Sequence, residues 1–101
     1  MTLSRHLPRV SILSFASAGA ADRARGLLGW LCLDLDGLLL LDGVTLRRTR
    51  AGRLTLSFPA RLDRAGQRHP FIRPLSDAAR RAVEQQVFVA LGLDQPGEQA
   101  G

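Results

Sequence analysis

The chain has 101 residues, 46% of them hydrophobic, enough for one domain with a core that needs no covalent staples. A single cysteine, Cys32, excludes an internal disulfide framework and fits a reducing, cytoplasmic setting. Lys+Arg number 14 against Asp+Glu 9, for a formal net charge of +5, and every one of those cations is arginine.

The N-terminal stretch reads in two ways. Arg5 and Arg9, the mostly apolar Val10–Ala16 and then Ala18-Gly19-Ala20 resemble a short signal peptide, which would make the protein secreted. Ser11 and Ser14 interrupt the apolar run, and the alternation around Val10 and Ile12 favours a first β-strand over residues 8–15. Residues 16–25 are small and polar and read as a loop. From Gly26 to Leu46 the chain is strongly apolar, but Asp34, Asp36 and Asp42 argue against a membrane span.

Asp36-Gly37 divides this stretch into runs 27–35 and 38–47. Asp-Gly between apolar runs predicts a β-hairpin, because a type I′ turn needs positive φ at both central residues. That turn would pair Leu35 with Leu38, Leu33 with Leu40 and Leu31 with Asp42. One face then carries Leu31, Leu33, Leu35, Leu38, Leu40, Val44 and Leu46, and the other Trp30, Cys32, Asp34, Leu39, Leu41, Thr45 and Arg47. Both faces are apolar near the middle. A helix can cover one, and a second protomer is expected on the other unless the N-terminal segment folds over it.

Residues 48–52 form the next turn. Leu54, Leu56 and Phe58 alternate with polar neighbours in a half-buried strand over 53–58, which Pro59 ends. Residues 60–70 are a polar, basic loop, and Phe71 and Ile72 suggest a short edge strand over 68–73. Ser76 is an N-cap candidate for a helix over 76–91. Ala79, Val83, Val87 and Ala90/Leu91 form its apolar stripe, with Arg80 and Glu84 paired on the outer side. Gly92 stops the helix, and 93–101 read as a flexible tail. No internal repeat is evident. The fold class is thus α+β: an antiparallel sheet of four to five strands (8–15, 27–35, 38–47, 53–58 and a short 68–73) and a C-terminal helix, in one domain over 1–92.

Enzymatic chemistry has little to stand on. The chain lacks a Gly-x-Ser-x-Gly elbow, a phosphate-binding glycine loop and a His-Glu-x-x-His pair. His6 and His69 are the only histidines, and neither lies near Cys32, which reads as a small core residue. Asp34, Asp36 and Asp42 fit turn and strand-end positions better than a cation site. No cofactor, metal or small-molecule substrate is expected.

The charge is concentrated. Eight of the fourteen arginines fall between Arg47 and Arg73, where Asp63 is the only acid. Arginine-rich faces also arise from GC-rich codon usage and are often merely solvated. A localised field of guanidinium groups nevertheless suits a phosphate backbone, which needs cations spread along a surface. Arg48, Arg50 and Arg53 surround one turn, and Arg61, Arg64 and Arg68 the next. If strands 38–47, 53–58 and 68–73 are neighbours, adjacent tips line these groups along one edge. Trp30 and Phe71 are the aromatics best placed to stack on a base, but each reads first as a core residue. Contacts to the backbone are therefore favoured over base stacking.

The segment Leu54–Leu91 resembles the SpoVG family of septation and stage V sporulation regulators. That family has a strand ending in Pro-Ser-Lys-Arg, a glycine turn, a segment ending in His-Pro-Ile, and a helix opening with small polar residues and an arginine. Here the corresponding residues are Pro59-Ala60-Arg61-Leu62, Gly66, Arg73-Pro74-Leu75 and Ser76-Asp77-Ala78-Ala79-Arg80, in the same spacing. Leu35-Asp36 and the strand after it resemble the family's central hairpin. This chain departs from the pattern at Leu62, Arg73 and Arg81. The resemblance implies a small α+β regulator that dimerises through its strands and binds DNA or RNA. The expected phosphate contacts are Arg61, Arg64, Arg68 and Arg80, then Arg48, Arg50, Arg53 and Arg73, with Arg81 as a further candidate. The competing reading is an adaptor that binds an acidic partner protein through the sheet edge or the Trp30 face. Membrane-surface binding lacks a basic amphipathic helix.

Overall fold

The computed structural model describes residues 8–93. They form β1 (Val10–Ser17), α1 (Ala20–Ala24), β2 (Leu27–Leu35), β3 (Leu39–Arg48), β4 (Leu54–Ser57), β5 (Ala60–Leu62), β6 (Arg68–Pro70) and α2 (Asp77–Leu91). The fold is α+β. An antiparallel sheet runs in the order β1-β2-β3-β4, β5 and β6 make a separate two-stranded ribbon, and α2 packs on one face of the main sheet. No helix among the described residues is long and apolar enough to cross a membrane.

The N-terminal segment is a strand, set two residues later than the expected 8–15, and pairs beside β2 from Val10–Leu35 to Ser17–Gly29. Within the expected loop 16–25, Ala20–Ala24 form a five-residue helix. A helix this short does not hold itself in water. Arg23 anchors it, its Nη1 donating to Ser17 Oγ and to the Leu28 carbonyl, both at 3.2 Å.

The β2–β3 turn has the backbone its residues call for, with Asp36 at φ 57° and Gly37 at φ 70°. The register differs from expectation. Leu35 pairs with Leu39, Leu33 with Leu41 and Leu31 with Val44. Leu38 stays in the turn, its N–H bonded to the Leu35 carbonyl at 2.9 Å. An extra residue is then absorbed at Asp42-Gly43, where Gly43 adopts φ 79° and donates to its neighbour's Oδ1. A one-residue slip exchanges the faces of a strand. Leu41 consequently packs on the core, while Leu38 and Leu40 are 81% and 60% exposed.

The core is built from Leu31, Leu33, Val44, Leu46, Leu54, Leu56 and Phe58 of the sheet region, against Val87 and Phe88 of α2. Each such side chain contributes roughly 1.5–3 kcal/mol on burial. Ser76 Oγ caps α2 by accepting the Ala79 N–H at 3.1 Å. At the other end Gly92 is left-handed, and the Leu93 N–H returns to the Phe88 carbonyl at 2.9 Å. Leu93 packs against the core, so it belongs to the helix cap rather than to a tail. Residues 94–101 lie outside the described residues.

The face of α2 that meets the sheet is also rotated from its predicted position. Arg80 and Glu84 point inward, and Glu84 is 7% exposed. The Glu84 carboxylate accepts from the Leu56 N–H and from Thr55 Oγ1, both at 3.1 Å. Arg80 Nη1 donates to the Leu56 carbonyl at 2.9 Å and lies 3.7 Å from Glu84. Gln86 treats the opposite edge alike, accepting from the Val10 N–H and donating to the Pro8 carbonyl, both at 2.9 Å. Three α2 side chains thereby occupy backbone groups of both edge strands, where another chain could otherwise pair.

The far face of the sheet carries Trp30, Cys32 and Leu40, paired with Thr45, Ala16, Ser14 and Asp34. Among the described residues nothing covers it, since β1 lies beside β2 rather than over it.

Replacing Glu84 with Ala leaves the buried Leu56 N–H unpaired, so stability is expected to fall by about 1–3 kcal/mol. Urea titration should show a lower midpoint at unchanged m-value. A wild-type midpoint would show that the cap contributes nothing.

Candidate nucleic-acid interface

Two arginine-bearing turns flank β4, and they are the same turn built twice. Thr49-Arg50-Ala51-Gly52-Arg53 closes with Thr49 N–H on the Arg53 carbonyl at 2.8 Å and Gly52 N–H on the Thr49 carbonyl at 2.9 Å. Asp63-Arg64-Ala65-Gly66-Gln67 repeats both bonds at 2.9 and 3.0 Å. Gly52 and Gly66 sit at φ 86° and 84°, the left-handed position this three-residue loop demands. Thr49 Oγ1 and Asp63 Oδ1 brace the turns by accepting from the Arg53 and Gln67 N–H groups. The chain therefore does contain a local repeat, Arg-Ala-Gly, which places Arg50 and Arg64 at equivalent exposed positions.

The two turns are not adjacent tips of one sheet. β6 pairs with β5 rather than β4, and residues 71–73 are not a strand. Residues 60–70, expected as a loop, are a hairpin instead. Pro59 and Pro70 explain the separation, because neither has an N–H to continue a ladder. The clusters thus stand at opposite ends of β4, on the order of 20 Å of extended chain apart. Arg80, bonded to Leu56, stands between them.

Arg48, Arg50, Arg53, Arg61, Arg64, Arg68 and Arg73 are all exposed. Some have structural work. Arg48 Nη1 reaches the Gly52 carbonyl at 3.5 Å. Arg68 Nη2 donates to the Phe58 carbonyl at 3.0 Å and ties the hairpin to the end of β4. Arg80, only partly exposed, is committed through Nη1 to the β4 edge. Arg50, Arg61, Arg64 and Arg73 have no hydrogen-bond or ion-pair partner for their guanidinium groups among the described residues. Trp30 and Phe71, read first as core, are 41% and 68% exposed. Trp30 lies on the uncovered sheet face, and Phe71 follows β6 directly.

Asp63, the only acid in the cluster, is fully engaged. Oδ1 accepts from Ala65 and Gln67 N–H at 2.9 and 2.8 Å, and Oδ2 pairs with His69 Nε2 at 2.8 Å. His69 above all, then the Gln67 N–H, holds this carboxyl below its ordinary value of 3.8. The pairing of Asp63 with His69 was not anticipated. Its sequence signal is an acid and a histidine placed symmetrically about a glycine turn.

No family model matches this chain, and no curated protein or solved structure is significantly similar to it.

A carboxyl with a depressed folded-state value stabilises its surroundings at pH above the unfolded value. That contribution is lost as pH falls through the folded value. The Ala65 and Gln67 amide resonances should therefore hold steady at neutral pH and move as pH drops below 3.8. Asp63→Asn should show the displaced resonances already at neutral pH. Identical spectra for variant and wild type would show that the carboxylate does not organise the hairpin.

Proposed function

We propose that this chain is a non-enzymatic, sequence-tolerant nucleic-acid-binding protein of regulatory type, which holds phosphates along the β4 edge and acts as a dimer. One observation carries the reading. The only acid within the arginine cluster is consumed by its own turn and His69, which leaves Arg61 and Arg64 as exposed cations on a braced hairpin, with no partner among the described residues. Arg50, at the equivalent position beyond the other end of β4, extends the field, with Arg48, Arg53, Arg68 and Arg73 around it. Arg80 adds charge at the middle while serving the β4 edge. Backbone phosphates need this kind of spread rather than a convergent pocket. The spacing of Pro59, Gly66, Pro74 and Arg80 shared with the SpoVG family supports the same reading and suggests the regulatory role.

Affinity should fall with salt at a log–log slope of roughly −0.7 to −0.9 per phosphate contacted. The double variant Arg61→Ala, Arg64→Ala should bind unrelated sequences about equally more weakly, with a shallower slope by about two phosphates' worth. Mobility shift across a salt series measures both. Unchanged binding would remove the hairpin from the site. Retention on an acidic polypeptide with none on DNA or RNA would favour an adaptor.

The second copy belongs on the uncovered sheet face, where Trp30 and Leu40 are exposed beside Cys32. Light scattering should give a mass twice 11.0 kDa, and Trp30→Arg should shift it toward one chain. A single-chain mass at tens of micromolar would contradict the dimer.

A further inference from the structure

We infer that the β5–β6 ribbon is a duplex reader that enters the major groove of B-form DNA. The inference rests on the nucleic-acid reading above and goes further, because it selects one nucleic acid and one groove.

The ribbon stands apart from the rest of the fold. No residue from Pro59 to Phe71 is buried, and every residue from Arg64 to Phe71 is exposed. At its base Arg68 Nη2 donates to the Phe58 carbonyl just past β4, and the Phe71 N–H continues the ribbon's own ladder onto the Pro59 carbonyl. An apolar hairpin would bury such a surface, whereas this one is closed by its own backbone pairs and polar bonds. Asp63 closes the tip from within, so the ribbon is ordered before it meets a ligand. Preorganisation of that kind limits the entropy lost on binding.

Its dimensions choose the groove. From Ala60 to the tip at Ala65 the ribbon is about 16 Å long at the usual rise per residue, which exceeds the roughly 8.5 Å depth of the major groove. Two strands lie about 4.8 Å apart and, with side chains, fill much of the roughly 12 Å width of that groove. The minor groove of B-form DNA, about 6 Å wide, is too narrow for them. The major groove of A-form RNA is deep and too narrow for side chains to read.

The two faces of the ribbon differ. Arg61 pairs across the strands with His69, and Leu62 with Arg68. The Arg68 side chain is tied back to Phe58. The Arg61–His69 face therefore carries the groups that can meet the groove. The imidazole, its orientation fixed by Asp63 through Nε2, can meet a base edge, while the Arg61 guanidinium meets phosphates of the groove wall. Arg64, beside the tip, meets phosphates along the groove wall. With so little base contact, sequence preference is expected to be shallow.

The test uses the full chain in fluorescence anisotropy with three probes of one sequence and about 20 base pairs: a DNA duplex, an RNA duplex, and a DNA duplex whose cytosines carry a bulky 5-substituent that fills the major groove. The phosphates of the two DNA probes are the same. The expected result is at least a tenfold weaker affinity for the RNA duplex and for the substituted DNA than for plain DNA. Equal affinity for plain and substituted DNA, or for RNA and DNA duplexes, overturns the ribbon reading while phosphate binding stands. Failure to bind any nucleic acid at low salt overturns both.

Discussion

The buried carboxylate of Glu84 is the contact on which the arrangement of the charged surface depends. It joins α2 to the backbone of β4, and Arg80 completes the join by taking the carbonyl of the same residue, Leu56. A buried carboxylate without such donors would be strongly destabilising; here Leu56 N–H and Thr55 Oγ1 supply them. With β4 clasped, its two ends project the two Arg-Ala-Gly turns in fixed directions. The same helix covers the inner sheet face with Val87 and Phe88 and reaches the opposite edge through Gln86. Edge capping, core closure and placement of the cations are therefore one piece of construction.

Such a concentration of like charge is affordable because it is exposed. Two unit charges about 10 Å apart in water repel by only about 0.4 kcal/mol, and physiological salt screens even that. Arg61 and Arg64 consequently cost the fold little while having no partner among the described residues. Where an arginine does approach the interior, as Arg80 does, it has a carbonyl and a carboxylate beside it. This division separates arginines whose guanidinium groups hold backbone carbonyls (Arg23, Arg48, Arg68 and Arg80) from Arg50, Arg61, Arg64 and Arg73, which have no such partner among the described residues. Asp63 follows the same logic in reverse, since an acid inside a basic patch is tolerated where its own turn consumes it.

Much of this was legible in the sequence, for local reasons. Alternation of Leu54, Leu56 and Phe58, the Asp36-Gly37 turn, the Ser76 cap and the Gly92 stop are signals that lie within a few residues, and each element stands where they place it. The register of β2 and β3 was not legible. Leu38 to Leu41 are four identical side chains that cannot announce which of them faces inward, and the extra residue at Asp42-Gly43 becomes visible only once β2 lies beside it. The inward turn of Arg80 and Glu84 was hidden for a similar reason. An acid four residues from an arginine reads as a solvent-facing pair unless an edge strand happens to need a donor and an acceptor there. At the site, the density of arginine was plain, but its division between structural and free groups required the carbonyls of Phe58 and Leu56, which are distant in sequence. The repeated Arg-Ala-Gly was in view throughout and signalled two copies of one turn.

The cations flanking β4 are proposed to form the binding face. Amide chemical-shift mapping of the isotopically labelled chain during titration with a short nucleic-acid duplex at low salt tests it most directly. Perturbations are expected to concentrate in residues 60–70 and 48–53 and to recede when salt is added. Perturbations centred on the Trp30 face or on the exposed side of α2, with the two Arg-Ala-Gly turns unmoved, would contradict it.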